Sequence, residues 1–274
     1  MAGPRPVFYV SDRTGITVET LGHTLLTQFE GTSFEILTLP YVDTPEKARA
    51  AAARIEDAGR RRGVRPIVFS TLVDPAVRRI VLGCDALGID FFEAFIGPLE
   101  RELQTRSTEA VGRTHGLSDP DRYGVRMDAV NFALGTDDGI AVQEYAQADV
   151  IVTGVSRSGK TPTCLYLALQ FGIRAANYPV TEEELDVLRL PAALVPHRAR
   201  LFGLTIDPQR LHQIRSARRP DSRYASLRQC QYEVGQVEAL YRKEGIPHVN
   251  TTRQSVEEIA THIVHEAGLL RRDR

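Results

Sequence analysis

One stretch of eight residues constrains this chain more than its size or composition does. Gly154-Val155-Ser156-Arg157-Ser158-Gly159-Lys160-Thr161 fits G-x-x-x-x-G-K-[ST], the pattern of a phosphate-binding loop. Its flanks carry the argument. Ahead of it, Ala148 to Thr153 is a β-branched apolar run that predicts a buried parallel strand. Behind it, Pro162 to Phe171 predicts a helix closed by Gly172. Pro162 falls in the first helical turn, where a missing N–H costs nothing. Such a strand–loop–helix curls backbone N–H groups around an anion at the positive end of the helix dipole. Lys160 adds a point charge for the terminal phosphates, and the Thr161 hydroxyl is placed to ligate Mg²⁺. The bland alternative is a chance Gly-rich turn, and the flanking strand and helix argue against it.

The 274 residues suffice for one large or two ordinary domains. With 42% hydrophobic and 25% charged residues, the composition is that of a soluble globular protein. No apolar run approaches membrane-spanning length, and the first six residues do not resemble a signal peptide, so a cytoplasmic location is expected. The net charge of −1 supplies no pull toward nucleic acid. Cys84, Cys164 and Cys230 are isolated and lack metal spacing, which suits a reducing compartment. The seven histidines form no H-x-x-x-H pair, so a structural zinc site is not expected.

Strand and helix signals alternate along the chain. Strands are predicted at Val7–Val10, Phe34–Leu39, Pro66–Thr71 and Ile89–Phe92. Helices are predicted from about Thr17 to Phe29, from Thr44 to Arg62, and from Asp74 to near Gly88. From Gly97 to Gly139 the pattern loosens, with helical stretches at Leu99–Thr105 and Arg126–Leu134, a polar loop at Arg113–Leu117 and a turn at Asp137-Asp138-Gly139. The connection between domains is expected here. Beyond the P-loop come an expected strand at Ile173–Val180, an acidic helix start at Thr181–Glu184, and a buried strand at Leu201–Ile206. A last strand at Ile246–Asn250 precedes a capping box at Ser255–Glu258. The expected fold is α/β, with an N-terminal parallel-sheet domain over 1–139 and a C-terminal P-loop kinase-like domain over 140–274.

Outside the P-loop the candidate residues are fewer. Asp207 ends an apolar strand downstream of the loop, the usual place of a second handle on the metal. It is therefore expected with Lys160 in catalysis and with Thr161 at the metal, while a plain cap for the helix from Pro208 is the alternative. Arg210, Arg215, Arg218, Arg219, Arg223 and Arg228 make the most basic segment. Arg218, Arg219 and Arg223 are candidate phosphate contacts on a segment that could close over the transferring group, although most of the six arginines should simply form a solvated helix face. His115 beside Arg113 is a further candidate, against the equal alternative of a surface-loop histidine. Asp12, in the polar turn Ser11–Gly15 after the first strand, sits where open α/β sheets bind ligands, or is part of an ordinary N-cap turn. No N-K-x-D sequence exists, which disfavours a guanine-reading switch. The residues alone lead to a kinase-like P-loop domain joined to a second α/β domain, without naming the phosphate acceptor.

A resemblance goes further. Val7–Asp12, Gly154–Thr163, Phe171–Pro179, Phe202–Pro208 and Ser222–Ser226, together with Arg113–Leu117, resemble the bacterial phosphoenolpyruvate synthase regulatory protein family, which is related to the pyruvate phosphate dikinase regulatory proteins. The resemblance covers nearly the whole chain. It implies a kinase that moves phosphate from ADP to a Thr of the synthase, switching the synthase off. It also implies a phosphorylase that removes that phosphate with inorganic phosphate and forms pyrophosphate. ADP as donor, Mg²⁺, inorganic phosphate as co-substrate and the synthase as protein partner are what it leads one to expect, with neither nucleic acid nor membrane as partner and a homodimer left open. The rival readings are a small-molecule P-loop kinase and a nucleotide-sensing binding module. The full N-terminal domain argues against the first, and intact Lys160, Thr161 and Asp207 against the second.

Overall fold

The computed structural model describes residues 3–108 and 120–269. The chain divides into two compact units, residues 1–116 and 117–274.

The first unit alternates β1 (Arg5–Val10), α1 (Ile16–Leu26), β2 (Phe34–Leu39), α2 (Pro45–Arg62), β3 (Ile67–Ser70), α3 (Pro75–Leu82), β4 (Leu87–Asp90) and α4 (Phe91–Leu103). All strand pairs are parallel, in the order β2-β1-β3-β4. Parallel strands need crossovers, and these put helices on both faces, so the central strands read as continuous apolar runs. Phe8 and Val10 face α2 and α3 through Ala48, Ala51, Ile55, Val77 and Val81. Val7 and Tyr9 face Val18 and Leu26 of α1 and Phe91 of α4. Local signals start the helices. Thr44 and Asp74 cap α2 and α3, each with proline at the start of the helix.

The expected fourth strand ran to Phe92, but β4 stops at Asp90. The Asp90 carboxylate accepts the N–H groups of Phe92 and Glu93 and starts α4 there, so capping chemistry wins over aromatic β-propensity.

The second unit runs α5 (Pro120–Gly135), β5 (Val150–Gly154), α6 (Lys160–Phe171), β6 (Ala175–Pro179), α7 (Glu182–Val187), β7 (Leu201–Thr205), α8 (Pro208–Arg218), α9 (Leu227–Glu244), β8 (His248–Asn250) and α10 (Val256–Glu266). Its sheet is also parallel, in the order β6-β5-β7-β8. On one face, Ile151 and Leu201 pack with Leu185, Leu211, Val234, Val237 and Tyr241. On the other, Val152, Phe202 and Leu204 meet Ala129 and Ala133 of α5, Leu167 of α6 and Ile263 of α10. Helix α5, expected in a connecting segment, instead packs on α6 and belongs to the second unit. Its small alanines allow that close approach. The Arg113–Leu117 loop, with His115, lies outside the described residues. No helix among the described residues is long and apolar enough to cross a membrane.

Candidate active site

The P-loop joins β5, an inner strand buried along its whole length, to α6. Close packing explains its first glycine. A Cβ on Gly154 would meet the Leu204 carbonyl at 2.6 Å and Ser158 Oγ at 2.8 Å. Gly159 takes a left-handed conformation, φ 98°, as the N-cap of α6.

Side chains engage the carbonyl oxygens of Val155, Ser156, Ser158 and Gly159. Lys160 Nζ donates to Val155 O at 3.0 Å, and Thr251 Oγ1 donates to Ser158 O at 3.1 Å. Thr163 Oγ1 donates to Gly159 O at 2.8 Å, and Arg215 Nη2 donates to Ser156 O at 3.1 Å. Ser158 N–H also donates within the loop, to Val155 O at 3.3 Å, so an anion would meet the other loop N–H groups. Two side chains point to the same chemistry. The Ser158 hydroxyl is buried without a hydrogen-bond partner among the described residues. Lys160 is 4% exposed, and burial pushes its ammonium down to about 8 while Asp138 and Asp137 pull it back up. A buried cation that lacks a full counter-charge gains most from an anionic ligand.

Arg215 was read only as one of a basic run, yet it is fully buried. It donates to Glu233 Oε1 at 3.1 Å and Oε2 at 2.6 Å, and to Tyr224 O at 3.0 Å. Its guanidinium carbon lies 4.1 Å from the centroid of the Tyr224 ring, and the Tyr224 hydroxyl pairs with Ser156 Oγ at 2.9 Å. Arg215 thus ties α8, α9 and the turn at Arg223–Ala225 to the loop. The sequence held a signal for this. Arg215 follows Leu211 by four residues, one helical turn on, and so falls on the buried face.

The other arginines behave differently. Arg218 and Arg219 are exposed at the end of α8, and exposed Arg223 pairs with Glu182. Among the described residues no hydrogen bond or ion pair joins any of these three to the P-loop. Asp12 belongs to the first unit. Its carboxylate is buried, with Oδ2 lacking a partner, and burial raises its pKa.

Asp207 fulfils the capping alternative. Its Oδ1 accepts the N–H groups of Gln209 at 2.9 Å and Arg210 at 3.3 Å at the start of α8. The carboxylate bonded to the P-loop threonine is Asp137, which accepts from Thr161 Oγ1 at 2.8 Å. The sequence shows Asp137 only as part of a turn, because nothing in local spacing links it to a hydroxyl 24 positions later.

A cavity of about 260 Å³ adjoins the loop, lined by Arg157, Gly159, Ile206, Ile214, Thr252 and Val256 among others. It is smaller than the pockets of roughly 300–1,000 Å³ that take drug-sized ligands, and so has room for part of a nucleotide.

Fold and loop together define a two-unit parallel α/β protein with a P-loop strand–loop–helix in its second unit. Comparison with known proteins narrows this. The kinase/pyrophosphorylase family matches residues 7–264, and the chain belongs to that family. A relative from Halorhodospira halophila is 58% identical over 99% of this chain and 100% of its own length. One from Alkalilimnicola ehrlichii is 58% identical over 98% of this chain and 97% of its own. One from Laribacter hongkongensis is 52% identical over 98% of both. All three are named as phosphoenolpyruvate synthase regulatory proteins.

Proposed function

We propose that this protein is a cytoplasmic, bifunctional regulator of phosphoenolpyruvate synthase that moves one phosphoryl group in two directions at the P-loop. In the inactivating direction, a threonine hydroxyl of the synthase attacks the β-phosphorus of ADP. The bond from that phosphorus to the bridging oxygen breaks, AMP leaves, and the hydroxyl proton is lost. In the activating direction, an oxygen of inorganic phosphate attacks the phosphothreonine. The threonine oxygen leaves and takes up a proton, and pyrophosphate forms.

The observation that carries this reading is the loop at the start of α6, where buried Lys160 and the buried Ser158 hydroxyl, without a partner among the described residues, stand on either side of Gly159. Membership of the kinase/pyrophosphorylase family and the relatives' names support it. Loose phosphoryl-transfer transition states need positioning and charge stabilisation more than covalent help. The loop amides hold the phosphoryl oxygens in either direction, and Lys160 stabilises their charge. Arg215 and Tyr224 keep the loop in shape. The adjoining cavity takes the nucleoside end of ADP, with Ile206, Ile214 and Val256 as its apolar walls. Mg²⁺, bound at Thr161, would offset charge on the diphosphate; a hydroxyl beside a carboxylate is a hard-oxygen donor set that fits it.

The test is purified synthase with ADP labelled on the β-phosphate, freed of adenylate kinase. The expected products are phosphothreonine and AMP. Inorganic phosphate should then release pyrophosphate, and ADP should inhibit that release. Efficient transfer from ATP without ADP, or release of free phosphate without pyrophosphate, would overturn the proposal in favour of an ordinary kinase.

A further inference from the structure

The carboxylate at the P-loop comes from an unexpected place. In many P-loop proteins the metal carboxylate ends a neighbouring strand. Here Asp207 follows β7 by two residues, its Oδ1 caps α8, and no hydrogen bond among the described residues links it to Thr161. Asp137, in the turn before the P-loop strand, instead meets the Thr161 hydroxyl.

The turn is held from the sheet. Asn177, fully buried on β6, pairs with Val152 of the P-loop strand. Its Nδ2 donates to the same Oδ1 of Asp137 that Thr161 reaches, and its Oδ1 accepts Asp138 N at 3.0 Å. Tyr145 fixes Asn177 in turn, donating its hydroxyl to Asn177 O at 2.8 Å. A side chain buried in the sheet therefore sets where the Asp137 carboxylate stands. Both described bonds go to Oδ1, and no hydrogen bond among the described residues reaches Oδ2. The loop beside it holds the unpartnered Ser158 hydroxyl and the buried Lys160, the marks of a site built for an anionic ligand.

We infer that Asp137, oriented by Asn177, and the Thr161 hydroxyl together hold the divalent cation that accompanies the diphosphate, and that Asp207 does not. This rests on the nucleotide reading of the loop. Among the described residues no group of three or more His, Cys, Asp or Glu side chains gathers. Mg²⁺ fits such a sparse set, because it keeps several waters and takes one or two protein oxygens together with phosphate oxygens. Asn177 is a positioning residue here, acting through Asp137.

The test measures ADP binding by calorimetry, with Mg²⁺ and with chelator, on the full chain and its variants. Mg²⁺ should tighten ADP binding to the parent protein. Asp137→Asn should lose that tightening by about tenfold or more, with Asn177→Ala losing part of it, as for partners that orient a metal ligand. Binding without metal should stay near the parent value, because the cradle is untouched. Asp207→Asn should keep the Mg²⁺ effect and lower the thermal midpoint. Loss of the Mg²⁺ effect in Asp207→Asn with its retention in Asp137→Asn would overturn the assignment. A second measurement needs no variant. Fe²⁺ in place of Mg²⁺, with ascorbate and ADP, should cut the parent backbone beside Asp137 and Thr161, and cuts confined to 205–207 would equally overturn it. Parent protein that binds no ADP with or without metal would instead remove the nucleotide reading itself, and the cation assignment with it.

Discussion

The loops after β1 and after β5 are the same device with different contents. Each follows the first strand of a parallel four-stranded sheet, and the two sheets share one topology. Each runs five residues, Ser11–Gly15 and Val155–Gly159, and each ends on a left-handed glycine that starts a helix, φ 85° at Gly15 and 98° at Gly159. At the first helical position one loop has Lys160, buried, and the other Ile16, 58% exposed. At the second loop position one has Ser156, whose carbonyl is held by Arg215, and the other Asp12, a buried carboxylate. The two loops thus share length and a closing glycine, but Arg157 is left-handed at φ 75° where Arg13 is not, and a buried lysine follows only the second. Geometry supplies the amides; the side chains decide the sign of the ligand.

The largest expected effect breaks the second loop's support. Arg215→Ala strands Glu233 in the interior, and losing one partner of a buried ion pair costs about 3–5 kcal/mol. Hydrogen exchange read by mass spectrometry should show β5 and β7 losing protection while β1 and β3 do not. A loss shared equally by both units would contradict the picture of two separate compact units.

Next in size is Lys160→Ala, which removes the charge that distinguishes the two loops. Phosphoryl transfer should fall by on the order of 10²-fold or more, with circular dichroism unchanged. Unchanged turnover in the folded variant would end the P-loop assignment.

Smaller again are alanines at the two helix-capping glycines, where left-handed backbone costs an L-residue about 1–2 kcal/mol. Gly15→Ala should cost more than Gly159→Ala in thermal unfolding. Its Cβ would come within 3.0 Å of Thr38 Cγ2, whereas the Gly159 Cβ meets nothing within 4 Å. The reverse order would mean that the contacts of the added Cβ do not set the cost at these two positions.

The smallest effect is a pH slope. Burial raises the pKa of Asp12, with Arg13 pulling it down and Asp43 pushing it up among its charged neighbours. The folded first unit then binds a proton before the unfolded chain does. Between the raised and the ordinary value, stability falls as pH rises, and acidification from neutrality restores it. Asp12→Asn should remove that component from the difference between variant and parent, read as β1 amide protection against pH. An unchanged slope would show that Asp12 carries no titration penalty.

Much of this protein was legible in its sequence because the decisive signals are local. The P-loop needs a β-branched strand, two glycines and a helix start in fixed order, and all of these lie within residues 148–172. The α/β alternation is equally local, since helix caps at Thr44, Asp74 and Ser255 stand beside the helices they start. Asp207 shows the limit of such reading. Its position fitted either a metal ligand or a cap, and only the hydrogen bonds to Gln209 and Arg210 revealed the cap.

What tertiary structure alone decided are the partnerships across long separations. Thr161 meets Asp137, Asn177 meets the same turn 40 residues upstream, and Arg215 crosses 59 positions to Ser156. No periodicity carries such pairs, because each depends on how β5, β6 and α8 pack beside one another. Burial then turned a solvated-looking arginine into a brace and a turn aspartate into the carboxylate at the phosphate loop. The sequence by itself carried the pattern of a phosphate-binding loop and the strand and helix that frame it. The fold determined which distant side chains hold that backbone in shape, because only packing brings them within reach of a hydrogen bond.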